Sequence, residues 1–327
     1  MRRNILLMLK KHRDEFISGE RISQELGISR TAVWKHINIL REEGYEIESM
    51  PKNGYKLVSS PDILILEEIE EYLTTNFIGR NIYYFDSLDS TNTKAKEMAI
   101  DEEEGTVVVA EEQIKGKGRL GRDWVSPKGK GIWMSIILKP NMLPSEVAKL
   151  TLIGAAAVNK ALEEMGIISY IKWPNDIVIQ GKKVCGILTE MSCELNIINY
   201  VIMGIGINVN LLKEDFSQEL VDKATSLKEI TGRDLDRKRL LASVLNHFEN
   251  LYLPFKQRGD ISATIDISRG KSLLIGKEIR ILRGNDEKIG RALDIDEQGG
   301  LIIEYKDGTR EHIFSGEVSI RGLREYI

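Results

Sequence analysis

The sequence predicts an α+β chain of three parts: a small helical domain with a β-hairpin over residues 1–60, a mixed-sheet α/β body over 61–270, and a small β-barrel over 271–327. Three observations predict it. Apolar residues recur at helical spacing through the first part and then give way to a hairpin pattern. Between about 80 and 265, short β-rich runs follow one another with only brief turns, broken by long helical stretches. After about 272 the helical period stops, and short strands alternate with turns containing Gly and Asp.

At 327 residues the chain is long for one domain, and 42% hydrophobic with 29% charged residues is an ordinary globular composition. No stretch approaches the ~18 consecutive apolar residues that span a bilayer. The apolar run 5–9 stops at Lys10-Lys11-His12-Arg13 with no small-residue cleavage site behind it. It therefore reads as an amphipathic helix, and the protein as cytoplasmic. Cys185 and Cys193 are too few for a disulfide framework or a zinc site, and the histidines are scattered. The absence of an HExxH run, a nucleophile elbow or a Cys–His pairing speaks against zinc hydrolysis and triad catalysis. The net charge is −4, yet residues 1–60 carry 11 Lys and Arg against 8 Asp and Glu. A cationic first part on an anionic body points to different partners for the two.

In the first part, Ile5, Leu6, Met8 and Leu9 give one helix its apolar stripe. A second helix over 20–26 places Ile22 and Leu26 one turn apart, and Gly27 suits a left-handed C-cap. Ser29 is a good N-cap for a third helix running to about Glu43, with Val33, Ile37 and Leu40 on one face. Arg30, Thr31, Trp34, Lys35 and Asn38 fall on the other. Helix, short Gly turn, helix is the helix-turn-helix pattern, and those outward residues suit base edges and phosphates. Strands over 45–48 and 55–58 follow, with Asn53-Gly54 as a type I′ hairpin turn. Lys52 and Lys56 flank its tip. Three helices and a basic hairpin make a winged helix, with Ser29, Arg30, Thr31, Trp34, Lys35, Asn38 and Lys52 as its candidate DNA contacts. Trp34 would equally serve to complete the core. Ser59-Ser60-Pro61 marks the domain boundary.

In the body, strands are expected over 82–85, 107–110, 132–138, 170–173, 177–179, 184–191 and 200–207, and helices over 91–100, 146–165 and 236–255. The run Gly116-Lys117-Gly118-Arg119-Leu120-Gly121-Arg122-Asp123-Trp124 has the GxGxxG spacing of a dinucleotide fingerprint after a strand. That fingerprint needs a helix directly behind it, and here another strand follows. Gly121-Arg122 also departs from a Walker A loop. What remains is a glycine loop carrying Lys117, Arg119 and Arg122, whose backbone can approach an anion closely while the cations neutralise it. A flexible basic surface loop would share the spacing. Lys172-Trp173-Pro174-Asn175-Asp176 forms a turn between two strands, which sets Lys172, Asn175 and Asp176 at one end of the sheet. Asp176 suits Mg²⁺ and Lys172 suits phosphate. Lys183 begins the next strand, and Asn208 ends another as a further oxygen ligand. Such residues without a nucleophile fit phosphoryl or nucleotidyl chemistry, which needs mainly positioning and charge stabilisation.

Together, Ser90-Thr91-Asn92, residues 116–124, residues 172–176 and Gly204-Ile205-Gly206-Ile207-Asn208 resemble biotin protein ligases. The fused winged helix resembles the bifunctional kind that also represses biotin-synthesis genes. The resemblance covers nearly the whole chain. It implies a body related to class II synthetases and lipoate ligases, and an SH3-like C-terminal barrel that helps bind ATP or the acceptor. It implies that biotin and ATP, with Mg²⁺, give biotinyl-5′-AMP and pyrophosphate, and that a lysine of the biotin carboxyl carrier domain of acetyl-CoA carboxylase then takes the biotinyl group.

By the same resemblance, Ser90, Thr91, Asn92, Gln113, Lys117, Gly118, Arg119 and Lys183 bind biotin, and Lys183 and Arg119 are catalytic. Arg122, Trp124, Lys172, Asn175 and Asn208 bind nucleotide, and Asp176 binds metal. Ser90 reads equally as a helix N-cap, and Trp124 as a core anchor. Lys117 stands where many members have Arg, which removes one bidentate anion fork. No aromatic residue lies near Ala224-Thr225-Ser226, where some members stack the adenine. The adenylate would order the 116–122 loop, and a homodimer would set two winged helices on operator DNA. A ligand-sensing repressor with an inactive ligase body, or a lipoate ligase, remain alternatives.

Overall fold

The helical period of the first sixty residues closes into three helices, α1 (Arg2–Lys11), α2 (Gly19–Leu26) and α3 (Arg30–Glu42). Ser18 and Ser29 cap α2 and α3, their hydroxyls accepting from Arg21 N at 3.1 Å and Ala32 N at 3.2 Å. Gly27 ends α2 at φ +65. Ile5, Leu9, Ile22, Val33, Ile37 and Leu40 bury the common core, and Trp34 is left 56% exposed, which places it on the outward face. The hairpin of β1 (Glu46–Met50) and β2 (Gly54–Ser59) follows.

Its turn differs from the expected type I′ turn at Asn53-Gly54. Met50 pairs with Gly54, so the loop is residues 51–53, with Lys52 at φ +70. Gly54 serves a close approach instead: Tyr55 exchanges two backbone hydrogen bonds with Ile17, both 2.9 Å, and a Cβ on residue 54 would strike the Ile17 carbonyl.

The computed structural model describes residues 1–283, 286–314 and 319–322. Parts of the expected C-terminal region therefore lie outside the described residues. The chain divides into two compact units, Met1–Glu71 and Tyr72–Ile327. The first continues past Pro61 into α4 (Leu66–Ile69). Glu68, 1% exposed, holds that helix in place: its carboxylate accepts from the Tyr45 hydroxyl at 3.0 Å and pairs with Lys10 at 2.8 Å. Burial and the Glu68 charge raise the Tyr45 phenol.

In the second unit, seven strands form one sheet in the order β3-β4-β5-β9-β8-β7-β6. They are β3 (Ile82–Phe85), β4 (Val107–Ala110), β5 (Gly131–Leu138), β6 (Tyr170–Lys172), β7 (Asp176–Ile179), β8 (Lys182–Glu194) and β9 (Ile197–Asn208). Only β3 and β4 are parallel, so the sheet is mixed, as the short connections require. Between the strands, α5 (Thr91–Met98) packs on β4, β5 and β9, and α6 (Val147–Glu164) on β6 to β9. Two further helices, α7 (Leu227–Thr231) and α9 (Ser262–Gly270), carry too little periodic apolar sequence to be foreseen, and α8 (Arg237–Arg258) packs on α6. Buried Arg237 ties the start of β5 to the end of β4, through Gly131 O at 3.0 Å and Glu111 at 2.8 Å.

The C-terminal strands β10 (Glu278–Arg283), β11 (Asp286–Ile295), β12 (Leu301–Tyr305), β13 (Arg310–Ile313) and β14 (Ser319–Gly322) form an antiparallel sheet in the order β13-β12-β11-β10-β14. Among the described residues no ladder joins β13 to β14; the pairing described is that of a small antiparallel sheet, and closure into the expected barrel is not seen among them.

Removing one partner of a buried ion pair costs about 3–5 kcal/mol, because the other charge is stranded. Glu68→Ala is therefore expected to lower the stability of the first unit by about that amount. The loss is read as an earlier urea transition of this unit in the full chain. The Lys10→Met/Glu68→Leu pair should recover most of it, and a wild-type midpoint for Glu68→Ala would contradict the assignment.

Candidate functional site

Three turns at one end of the large sheet enclose a cavity of about 1390 Å³. Every residue assigned from sequence to biotin, nucleotide or metal lines it.

The first wall starts at α5. Ser90 stands at its N-cap without a capping bond from its hydroxyl. Thr91 N donates to Gln113 Oε1 at 2.8 Å, and Gln113 Nε2 donates to Ser126 Oγ at 2.9 Å. Asn92 Oδ1 accepts from Ser135 Oγ at 2.6 Å, and its Nδ2 donates to Glu190 at 2.7 Å. These buried amides and hydroxyls are thereby fixed in orientation before any ligand arrives. Burial works to raise the Glu190 carboxyl, but hydrogen bonds from Lys96 and Asn92, with the charges of Lys96 and Lys117, together hold it below its ordinary value.

The second wall is the glycine-cation loop. It folds back on itself as a narrow hairpin, with Gly118 N donating to Arg122 O at 2.7 Å and Trp124 N to Gly116 O at 2.8 Å. Leu120 at its tip sits at φ +57 and is 78% exposed. Lys117 Nζ donates to Thr93 Oγ1 at 2.9 Å, and Arg119 Nη1 reaches across to Asn175 Oδ1 at 2.9 Å.

The third wall is the Lys172–Asp176 turn, where Lys172 and Asp176 face each other across the β6–β7 ladder and Trp173–Pro174 is a cis peptide. Lys183 pairs with Asp176 at 2.6 Å and lies 5.1 Å from the centroid of the Trp124 ring. Burial pushes the Lys172 ammonium down to about 8; Asp176 works against that shift, while Lys183, Arg321 and Arg122 add to it. Asn208, at the end of β9, donates to Thr225 O at 3.0 Å. Burial pushes the Cys185 thiol above its ordinary value.

Sequence reading missed the floor. On β8 and β9, a Cβ at Gly204 would collide with Asn92, one at Gly206 would lie 2.5 Å from Trp124 Nε1, and one at Gly186 would lie 2.9 Å from the Trp124 ring. The only hint was the GxGxN run, which also fits a plain strand. Ser135 and Glu190 were missed because a polar residue in a strand carries no spacing signal. Arg280 and Arg321 were missed because the C-terminal sheet brings them to the cavity from far along the chain.

The candidate DNA contacts form a separate set in the first unit. Arg30, Thr31, Trp34, Lys35 and Lys52 are exposed. Ser29 spends its hydroxyl on the α3 cap, and half-buried Asn38 accepts from Arg41 at 3.3 Å.

Residues 84–208 match the biotin/lipoate A/B protein ligase family, residues 2–56 an HTH domain, and residues 274–321 the biotin protein ligase C-terminal domain. The chain is 42% identical to the bifunctional ligase/repressor BirA of Bacillus subtilis over 98% of both chains. It is 29% identical to that of Escherichia coli over 95% of both. Its fold is similar to a biotin protein ligase from Aquifex aeolicus in complex with biotin and ATP. There the TM-score is 0.66 at 37% identity, covering 74% of this chain and 99% of the other.

Overpacking a tight contact costs about 1–3 kcal/mol. Gly206→Ala is expected to lose about that much stability and to displace Trp124 from the sheet, read as a red shift in tryptophan emission. Gly270→Ala, where a Cβ meets nothing within 4 Å, is the control and should change neither.

Proposed function

This chain belongs to the bifunctional biotin protein ligase/repressor family, and from that premise we propose the reaction and the residues that carry it. Biotin and ATP are the substrates. The biotin carboxylate attacks the α-phosphorus, an O–P bond forms, and the bond to the departing pyrophosphate breaks. A lysine amine of a biotin carboxyl carrier domain, that of acetyl-CoA carboxylase, then attacks the acyl carbon of biotinyl-5′-AMP. AMP leaves and the amine gives up a proton. Both steps need two anionic or polar reactants held together rather than a protein nucleophile, so catalysis is positioning plus charge stabilisation.

The observation that carries this reading is the confrontation across one cavity of the glycine-cation loop and the Lys172–Asp176 turn, joined by Arg119 and Asn175 at 2.9 Å. Ser90, Thr91, Asn92 and Gln113 receive biotin at the α5 wall. Lys117, Gly118 and Arg119 close over its carboxylate. Arg122, Trp124, Lys172, Asn175 and Asn208 hold the nucleotide, and Arg280 and Arg321 extend the cationic rim toward the phosphates. Lys183 stabilises charge between carboxylate and α-phosphate, with Asp176 keeping its ammonium in place until substrates arrive.

The donor set fits Mg²⁺ brought in on the triphosphate. Of the carboxylates lining the cavity, Asp176 stands in the catalytic turn beside the Asn175 amide, and no group of three acidic, His or Cys side chains builds a cage among the described residues. Asp176 would hold the ion, which supplies charge neutralisation on the phosphates.

The winged helix, residues 1–60, reads operator DNA. The body, 61–270, and the C-terminal part, 271–327, hold the reaction. A homodimer formed on adenylate binding presents two recognition helices to an inverted repeat. No helix among the described residues is long and apolar enough to cross a membrane. A cytoplasmic site of action suits two unpaired cysteines.

The test incubates the chain with biotin, MgATP and a carrier domain while following pyrophosphate, acceptor labelling and operator binding. Labelling without operator response leaves a plain ligase. Operator response without labelling or pyrophosphate leaves a sensor. Lipoate competing as well as biotin overturns the substrate. Lys183→Ala is expected to slow adenylation about 10²–10³-fold with little change in KM for ATP; an effect on KM alone removes its catalytic role. Arg119→Ala should speed release of free biotinyl-5′-AMP.

A further inference from the structure

The turn joining two strands of the C-terminal sheet meets the catalytic turn at a buried contact. Trp173, 2% exposed, donates its indole N–H to Gly299 O at 3.0 Å. Gly299 belongs to the turn joining β11 to β12, at φ +86, and a Cβ there would strike Leu152 of α6. That turn is closed by Asp296. Its Oδ1 accepts from Gln298 N at 2.9 Å and Gly300 N at 2.8 Å, and its Oδ2 meets His312 Nδ1 of β13 at 2.8 Å. Two backbone bonds complete the closure, Asp296 N to Gly300 O at 2.8 Å and Gly299 N to Asp296 O at 3.0 Å. Gln298 Oε1 is held in turn by Lys149 of α6 at 2.8 Å. On the catalytic side, Ile171 exchanges backbone bonds with the chain leading into the sheet, Ile171 N to Lys271 O at 2.8 Å and Leu273 N to Ile171 O at 2.9 Å. The Lys172–Asp176 turn is therefore gripped both beside its first strand and beneath its indole.

We propose that Asp296 is a positioning residue for adenylation: by closing the 296–300 turn it fixes Gly299 O under Trp173, and so sets where Lys172, Asn175 and Asp176 stand toward the nucleotide. The inference rests on the reading of that turn as the nucleotide side of the site. A carbonyl shifted by a slack turn leaves the indole N–H buried without its acceptor, and the loop that carries three site residues relaxes. The biotin wall at α5 is built from other elements and should not feel it.

The test measures biotin-dependent pyrophosphate release by the full chain, with biotin and MgATP varied separately. Asp296→Ala and Trp173→Phe should each raise KM for MgATP about tenfold and leave KM for biotin within about twofold. Asp296→Asn keeps an oxygen for both backbone N–H groups and should stay near wild type. The Asp296→Ala/Trp173→Phe double variant should be no worse than the worse single one, since both break the same contact. Wild-type KM values in both single variants, equal damage toward biotin and MgATP, or losses that multiply in the double would each overturn the proposal. Should Asp296→Ala fail to fold, the decision passes to Trp173→Phe beside Asp296→Asn: a nucleotide-selective loss in the first with a near-normal second supports it, and any other pattern sinks it. A wild-type chain that releases no pyrophosphate removes the functional reading and this proposal together; an active wild type with indifferent variants removes this proposal alone.

Discussion

The site is governed by like charges gathered in one cavity. Lys117, Arg119, Arg122, Lys172, Lys183, Arg280 and Arg321 all line it. Asp176 pairs with Lys183, and Asp123, Glu219 and Asp222 also line the cavity, so carboxylates offset part of that charge. Lys172 is pushed down to about 8 because burial and three neighbouring cations outweigh the help of Asp176. A protein holds such an arrangement only if the side chains cannot relax into solvent. Four of the others have a tether. Arg119 is bonded to Asn175, Lys117 to Thr93, Lys183 to Asp176 and Arg280 to Gly322 O. Anions entering the cavity relieve an electrostatic cost incurred on folding.

That arrangement in turn needs a flat floor. Asn92 and Trp124 come down on β8 and β9 where Gly186, Gly204 and Gly206 leave no Cβ in the way. The glycines weaken those strands by themselves. The sheet tolerates them because β8 and β9 are long and paired on both sides, β9 with β5 and β8 with β7. Strand length thus supports the loss of side-chain packing at the end where ligands must lie.

Much of this was legible in the sequence, and the limits have physical reasons. Ser29, Gly27 and the Val33-Ile37-Leu40 stripe announced α2 and α3 because caps and periodicity are local properties. The glycine-cation loop and the Lys-Trp-Pro-Asn-Asp turn were legible because their residue types are unusual, and the structure brings both to one cavity. The hairpin turn was misread because the loop is residues 51–53, and Gly54, at φ +109, also answers a close approach from Ile17, far back in the chain. Ser135, Glu190, Arg280 and Arg321 were invisible for the same reason: tertiary pairing alone makes them part of the site. Helix α7 is short and shows its Ser226 and Gly232 caps without an apolar stripe, and α9 packs on α6 and β11.

Activation of biotin and control by DNA impose one further constraint. The two compact units have separate cores, the first closed by Lys10, Tyr45 and Glu68 and the second by its own sheet. A ligand in the second unit alters DNA affinity only through a state that both ligand and DNA prefer. If the adenylate favours operator binding, as proposed above, linkage runs both ways, and operator favours adenylate retention by the same factor. A chain resting on DNA would therefore keep its intermediate longer, and an acceptor lysine that consumes the adenylate draws on the same free energy that holds the chain to its operator. Supply of acceptor, and not only supply of biotin, would then set how long repression lasts.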